Sequence, residues 1–542
     1  MSDAAQTAPA LPCVVQLGFA GSRTLFSPAP ATKTDSDRFR EELQRYLTGR
    51  LKKLPEELKL DGQYFLCGIS QVAIGADMLF TQACAELKTP QRIFLPQHRQ
   101  DFLNATASDG TPDFTDEERV KAERLLAGEQ IIQERVVADA AERTARFDEA
   151  NLEILRVSDI VVCLLREDAT GKAGSTSDLL ERAKKRNKLT LEIRFTVANG
   201  HVEIHEQWHN RDQTQGSQWP RLPADLPVPD QTIRPDKEGY LGGLYDLASQ
   251  HAKRHQKLFR LAARIIIGTH IAATICATLV LAFHASVKYL LLLTAGLLPL
   301  ELVLLVSGFL VHFYLHRSRA ARVWALSRLV AEILRSIKAL QHRHFQLHYL
   351  FQLPMPLDML PLLRTINVLH LRATRPHRND PWEQQRDAYI ANRLDDKDHG
   401  QLIYYEKERT KDERRWRICN WTFGVCSSAA ILAVLCKLII VGYVVFGVND
   451  WDLLHLTRDF LGVLAIILPL LSVAALSWMA AMDFEARIHT YTETLNFLNK
   501  QRPLLEQAKS AAEFERLVLE TESRLLGETV SWYARRAFTG VT

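Results

Sequence analysis

Three things are missing from this chain, and each narrows what it can be. It has eight cysteines, yet no two of them form a CxxC pair. Reduced, buried cysteine in a cytosolic compartment is therefore the expectation, and no metal site is expected. The charge is nearly balanced, with a formal net charge of +4 over 542 residues, so nothing in it points to nucleic acid. The first residues, MSDAAQTAPALP, have neither a basic stretch nor an apolar core, so no cleaved signal peptide is expected.

What the chain does have is long apolar runs. Ile265 to Phe283 and Tyr289 to Leu315 are each about as long as the ~20 apolar residues a hydrocarbon core requires. A few residues separate them, so they read as a hairpin. Ile418–Val445 and Phe460–Met482 repeat the pattern. Mean hydropathy is still slightly negative, at −0.10, so a large soluble part must accompany these runs.

Basic residues set the orientation. Lys253, Arg254, Lys257, Arg260 and Arg264 precede the first run, and Arg317, Arg319 and Arg322 follow the second. Lys407, Arg409, Lys411, Arg414, Arg415 and Arg417 precede the third, and Arg487 follows the fourth. The turn of the first hairpin has only Lys288, and that of the second, VNDWDLLHLTRD, is net acidic. The positive-inside rule then predicts four crossings of an inner or plasma membrane, with both termini cytoplasmic. Two charged residues fall inside the runs. Glu301 lies near the middle of the second, two residues after Pro299, and Lys437 lies in the third. An intramembrane carboxylate marks a pathway or a partner contact. A pathway on one hand, and a buried Glu–Lys pair or a protonated Glu bonding a neighbouring helix on the other, are equal readings here.

Ahead of the first hairpin, short apolar runs alternate with amphipathic stretches. Strands are expected at Cys13 to Phe19, Tyr64 to Cys67, Arg92 to Leu95, Ile160 to Leu165 and Thr190 to Phe195. Helices fall between them, and Asp116 to Glu153 reads as charged and helical. That order predicts a parallel α/β sheet, which binds ligands outside the carboxyl ends of its strands. Three glycine-bearing turns fall there: Gly18–Arg23, Gly68–Asp77 and Gly171–Thr176. Glycine lets backbone N–H groups approach a phosphate, and the following helix adds its N-terminal dipole. Ser22, Ser175 and Thr176 can donate hydroxyl hydrogen bonds, and Arg23 can neutralise charge. Asp77 also reads as a helix N-terminal carboxylate. Asp159 reads equally as a turn residue and as a functional one.

The expected organisation is residues 1–10 disordered, 11–197 the α/β domain and 198–239 a Pro-rich linker. A basic helix and the first hairpin occupy 240–316, cytosolic helices 317–417, the second hairpin 418–482 and further cytosolic helices 483–542. In the linker, His201, His205 and His209 recur every four residues and would share a helix face. No cysteine joins them, and the segment reads as solvated. Val323, Leu326, Val330, Ile333, Ile337 and Leu340 form a heptad seam that favours helix pairing, within the chain or between subunits. His342, His344 and His348 continue that helix as polar or interfacial residues. Ile488, Tyr491, Leu495 and Leu498 form a second stripe.

The order GSR at 21–23, GxxxxxxGAD at 68–77, FLP at 94–96, SD at 158–159 and GST at 174–176 resembles the SLOG superfamily. This Rossmann-like group includes the Smf/DprA proteins, the LOG phosphoribohydrolases and the N-terminal domains of TRPM channels. Arg99, Asp101, Phe102 and Asn151 add to the likeness. The resemblance implies a nucleotide pocket lined by Gly21, Ser22, Arg23, Gly75, Asp77, Gly174, Ser175 and Thr176, with Gly18 and Gly68 in the same loops. LOG hydrolases carry a PGGxGTxxE turn whose glutamate serves the chemistry. Here Asp178 stands at that glutamate, and the proline and one glycine are missing. A shorter acid is misplaced for general acid–base work, so binding is favoured over hydrolysis. Asp178 or Asp77 would be the acid if the domain were catalytic.

The two hairpins with their trailing helices resemble SLATT and related membrane effector domains, most of all at Arg322 to Ile337 and in the closing LVLETESRLLGETVSW. Together the likenesses imply an effector that senses a nucleotide-derived ligand, such as an ADP-ribose derivative or a cyclic nucleotide. It would perturb the lipid bilayer as a homo-oligomer, often in antiphage or other conflict systems, and without a bound cofactor. A membrane-anchored hydrolase of N-glycosidic bonds and a non-catalytic scaffold or transporter are the alternatives.

Overall fold

A computed structural model describes residues 11–26, 32–60, 64–106, 110–169, 174–198, 200–211, 219–223, 226, 240–283, 288–340, 355, 359–374, 381–398, 400–445 and 452–538. The expectations for residues 1–10, for Gly171, Lys172 and Ala173, for His342, His344 and His348, for most of the Pro-rich linker and for the two hairpin turns lie outside these. The chain forms two compact units. One comprises residues 1–224, 228–241 and 356–378, and the other comprises the rest.

The first unit is built on a seven-stranded sheet: β1 (Cys13–Gly21), β2 (Tyr64–Ser70), β3 (Gln91–Leu95), β4 (Ile131–Val136), β5 (Ile160–Arg166), β6 (Leu189–Ala198) and β7 (His201–His209). Their order across the sheet is β4-β3-β2-β1-β5-β6-β7. All neighbours are parallel except β6 and β7. The helices are α1 (Lys33–Glu57), α2 (Ala76–Glu86), α3 (Arg99–Leu103), α4 (Asp116–Leu126), α5 (Arg143–Val157) and α6 (Thr176–Lys185). The five expected strands are present. They sit between other strands and bury both faces, which is why each reads as an unbroken apolar run.

Two strands depart from the sequence reading, and both lie at sheet edges. Ile131–Val136 lies inside the stretch read as helical. Its second half, Gln133-Glu134-Arg135, is polar because an edge strand keeps one side open. His201–His209, read as linker, is β7, paired antiparallel with β6 from Thr190↔His209 to Ala198↔His201. Val202, Ile204 and Trp208 pack on the core at a period of two. The three histidines therefore follow a strand, where four residues span roughly 13 Å, and they cannot converge on one metal ion. Among the described residues no cluster could hold one.

The sheet unit is also discontinuous. Helix Leu360–Ala373 (α10) belongs to it, although it comes between the two apolar hairpins in sequence. Val368 and Leu371 pack on Val14, Cys67 and Ile132. Thr365 Oγ1 accepts the Val14 N–H at 3.1 Å. Arg364 grips both oxygens of Asp159, at 2.7 and 2.8 Å, while Asp159 accepts the Gln16 N–H at 2.8 Å. Asp159 thus clasps a helix at the amino end of β5.

The second unit is helical: α7 (Tyr240–Phe283), α8 (Lys288–Arg317), α9 (Ala320–Ala339), α11 (Trp382–Tyr389) running into a π-helical turn at Ile390–Leu394, α12 (Gln401–Val445), α13 (Asp452–Met482), α14 (Phe484–Glu506) and α15 (Ala511–Phe538). Four of these helices, α7, α8, α12 and α13, are long and apolar enough to cross a membrane. Their apolar windows are only 6–17% buried within the chain. In the expected seam, Leu326, Val330, Ile333, Ile337 and Leu340 are buried. The pairing is within the chain, since α9 packs on α15 with Trp324 and Trp532 5.0 Å apart. Each returning apolar helix turns into its successor through a left-handed residue that is not glycine, Arg319 (φ 47°) after α8 and Asp483 (φ 54°) after α13.

Candidate functional site

The strand order reverses between β1 and β5. From β1 the chain winds outward through β2, β3 and β4, then returns to β5 on the other side. At such a switch point the two following loops diverge and leave a crevice. The crevice here is a cavity of about 300 Å³. It is lined by Gly21 to Thr24 after β1, by Gln71, Ala73 and Asp77 around the start of α2, and by Phe147 and Asn151 of α5. Leu165 and Arg166 at the end of β5 and Ala169 and Gly174 to Ser177 beyond it also line it, with Ala20 of β1.

Two glycines are dictated by close approach. A Cβ on Gly21 would collide with that of Ala76, so only glycine lets β1 end against α2. Gly75 has φ +88°, and a Cβ there would strike the carbonyl oxygens of Ser22 and Arg23. It caps α2, whose Ala76 N–H donates to Ser22 O at 3.1 Å. Gly18 and Gly68 serve packing instead, and neither they nor Gly75 are among the lining residues. A Cβ on Gly18 would overlap Ser158, and Gly68 lies under Phe80 and Cys84. In the same loop as Gly75, the β-branched Val72 is held at φ 61°. Such a conformation costs about 1–3 kcal/mol and persists only where its surroundings impose it.

Asp77 imposes much of that order. Its Oδ1 accepts the Gly21 N–H at 3.1 Å and its Oδ2 accepts the Ala73 N–H at 3.4 Å, tying the two loops together. Burial pushes the Asp77 carboxyl up to about 7, against the lowering effect of those N–H groups and of Arg23. A second chain of hydrogen bonds crosses the cavity. Gln71 Nε2 donates to Asn151 Oδ1 at 2.7 Å, and Asn151 Nδ2 donates to Gly174 O at 2.9 Å. The loops after β2 and β5 are thereby joined through α5.

Arg23 and Arg166 are the cationic residues lining the cavity. Arg23 meets Asp113 at 3.2 Å, and its guanidinium lies 5.4 Å from the Phe147 ring centroid. Its Nε is buried with no hydrogen-bond acceptor among the described residues. Asp113 also pairs with Arg143. Burial alone would raise the Asp113 carboxyl, but the Arg143 hydrogen bond and the Arg23 charge outweigh it and hold the group below its ordinary value. Ser22 Oγ accepts the Arg166 N–H at 3.2 Å, which leaves its own proton available. The first N–H groups of α6, at Thr176 and Ser177, have no acceptor within the helix.

Asp178 is not among the lining residues. Its Oδ2 accepts the Gly174 N–H at 3.1 Å, its carboxylate pairs with Arg182 at 2.9 Å, and its N–H donates to the capping Ser175 Oγ at 3.3 Å. It closes the loop rather than facing the cavity. Phe147, Gln71, Arg166 and Ser177 were not singled out from sequence. Phe147 could have been, since it stands four residues before Asn151 and so shares its helix face.

In the helical unit, no ion pair joins Glu301 and Lys437 among the described residues. Lys437 Nζ lies 3.0 Å from where a Cβ on Gly462 would stand, so α12 leans on α13 there. In the first hairpin Gly308 packs on Thr269.

No protein-family model matches the chain, and a search of curated proteins returns no match.

Proposed function

We propose that this is a membrane-embedded effector whose sheet unit senses a nucleotide-derived ligand. The observation that carries the reading is the cavity at the β1/β5 switch point, where Arg23, Ser22 and the start of α6 meet beside the Phe147 ring. Arg23 and the α6 N–H groups suit a phosphate, and Phe147 suits a nucleobase or sugar face. An ADP-ribose-like molecule or a cyclic nucleotide has both parts. The order of motifs along the chain supports a SLOG-like, Rossmann-like assignment.

The four apolar helices are read as crossing an inner or plasma membrane, because they expose leucine, valine and phenylalanine along most of their length. Basic residues ahead of the apolar runs of α7 and α12 support a topology with both termini and the sheet unit in the cytoplasm. Ligand binding would reorder the sheet unit, and α10, which lies between the hairpins in sequence, would pass the change along the chain to both. The output would be permeabilisation by a SLATT-like homo-oligomer, in an antiphage or other conflict setting. Glu301, exposed in part near the middle of α8, is the residue to mark a pathway.

The test is dye release from liposomes containing the full chain, with and without a nucleotide panel. Ligand-dependent release is expected, and release indifferent to every nucleotide tried would count against the reading. A second reading, an anchored hydrolase, draws on Asp77, a cavity carboxyl with a pKa of about 7. Base release that vanishes in Asp77→Asn would favour it. Binding is preferred because both Asp77 oxygens already hold backbone N–H groups.

A further inference from the structure

A second cavity, of about 330 Å³, lies in the helical unit between α7, α12 and the α13–α14 joint. Its lining divides by chemistry. Arg260, Arg264 and Arg415 are its cationic members, and Ile418, Trp478 and Met482 are among its apolar ones. The division falls where the apolar runs stop. Arg264 directly precedes the run that begins at Ile265, Ile418 opens the third run, and Met482 closes the fourth. Trp478, at that level, lies under the Arg264 guanidinium at 5.8 Å, and tryptophan at the end of an apolar helix marks a membrane–water interface.

Cations outnumber carboxylates around this cavity. The buried Asp412 is held by Arg487 at 2.7 Å and by Arg415 at 3.4 Å. Glu408 is held by Lys411 at 2.9 Å and by Arg487 at 3.9 Å. Among the described residues, Arg260 and Arg264 have no ion-pair partner. Arg260 and Arg264 thus line the cavity without a direct carboxylate partner, beside apolar side chains, and Arg260 feels Asp412 and Glu408 only at longer range.

We propose that this cavity binds the phosphate of an anionic phospholipid, with Arg260, Arg264 and Arg415 around the headgroup and the first acyl carbons against Ile418, Trp478 and Met482. The proposal rests on the reading that α7, α12 and α13 cross a membrane with their basic ends in one leaflet. An arginine fork takes a phosphate bidentately, and basic pockets between membrane helices suit lipid headgroups. The apolar wall favours a lipid over a free phosphate, which would leave it unfilled.

The experiment uses the full chain purified in a neutral detergent. Its thermal stability is followed as phosphatidylglycerol, phosphatidylcholine, glycerol phosphate or inorganic phosphate is added. Phosphatidylglycerol alone should raise the melting temperature, with half-maximal effect at a concentration about tenfold higher in Arg260→Gln/Arg264→Gln. Arg260→Lys/Arg264→Lys should keep most of the effect, which separates lost charge from lost packing. Equal stabilisation by phosphatidylcholine, or an unchanged response in the Gln variant, overturns the proposal. Equal stabilisation by inorganic phosphate also overturns it, in favour of a soluble anion. Carbonate extraction of reconstituted vesicles tests the membrane reading separately. A chain that stays with the vesicles but shows no lipid preference sinks the headgroup site alone, and a chain that is released sinks both.

Discussion

Arg23 is the residue on which the anion reading turns. It touches Asp113, the Phe147 ring and the cavity at once. Arg143 remains on Asp113 if Arg23 is removed, so the fold should tolerate the change better than the ligand does. Arg23→Gln in the full chain should weaken a nucleotide that stabilises the wild type by at least about tenfold, which is the loss of one charge-assisted contact of about 1.5–3 kcal/mol. Isothermal titration would read this, and unchanged affinity would remove Arg23 from the site. Asp77 gives a pH signature. Its carboxyl is raised from an ordinary 3.8 to about 7, so the folded state keeps a proton that the unfolded chain releases between those values. The stability this gives is fully present below about pH 4 and is lost as pH rises through about 7. Melting temperatures of wild type and Asp77→Asn should therefore draw together between pH 5 and pH 8. A gap that stayed constant over that range would show that Asp77 is ionised throughout.

Among the elements, α10 shows what pattern conveys and what it leaves out. It falls within the stretch 317–417 read as helices, but nothing local says that this helix leaves its neighbours in sequence to cover Val14, Cys67 and Ile132. The central strands were legible because burial on both faces writes itself into composition. The edge strands β4 and β7 were not, because one open side dilutes the signal to a period of two over a few residues. The cavity was half legible for a similar reason. Its glycines and hydroxyls stand together in sequence, whereas Gln71, Asn151 and Gly174 O meet only in space. Thr365→Val tests the docking of α10. It keeps the shape and removes the acceptor of the buried Val14 N–H, which should cost about 1–3 kcal/mol. Thermal unfolding of the full chain would show it as a fall in melting temperature. No fall would mean that another acceptor serves Val14.

At the scale of the whole molecule, sequence order and domain are not the same thing. A fragment ending near residue 240 looks complete by pattern, yet it lacks the helix that closes its sheet. Such a fragment should melt lower and bind a hydrophobic dye, and adding a peptide of residues 359–374 should reverse both. Failure of the peptide to do so would place the contribution of α10 elsewhere. Glu301 belongs to this scale too. If the helices form a pathway, Glu301→Gln should change the rate or ion preference of liposome leakage while leaving nucleotide binding intact. An unaltered leak would reduce the first hairpin to an anchor.

The discontinuity also has a consequence for how the protein is made. A ribosome delivers β1 to β7 first, then the whole first hairpin, and only afterwards the helix that clasps Asp159. At about 5–20 residues per second, the sheet waits on the order of ten seconds with an apolar strip open. During that interval the first apolar hairpin emerges. Newly made sheet units therefore stay incomplete until the first apolar hairpin has been made, and a chain stalled between the hairpins would present that strip to chaperones.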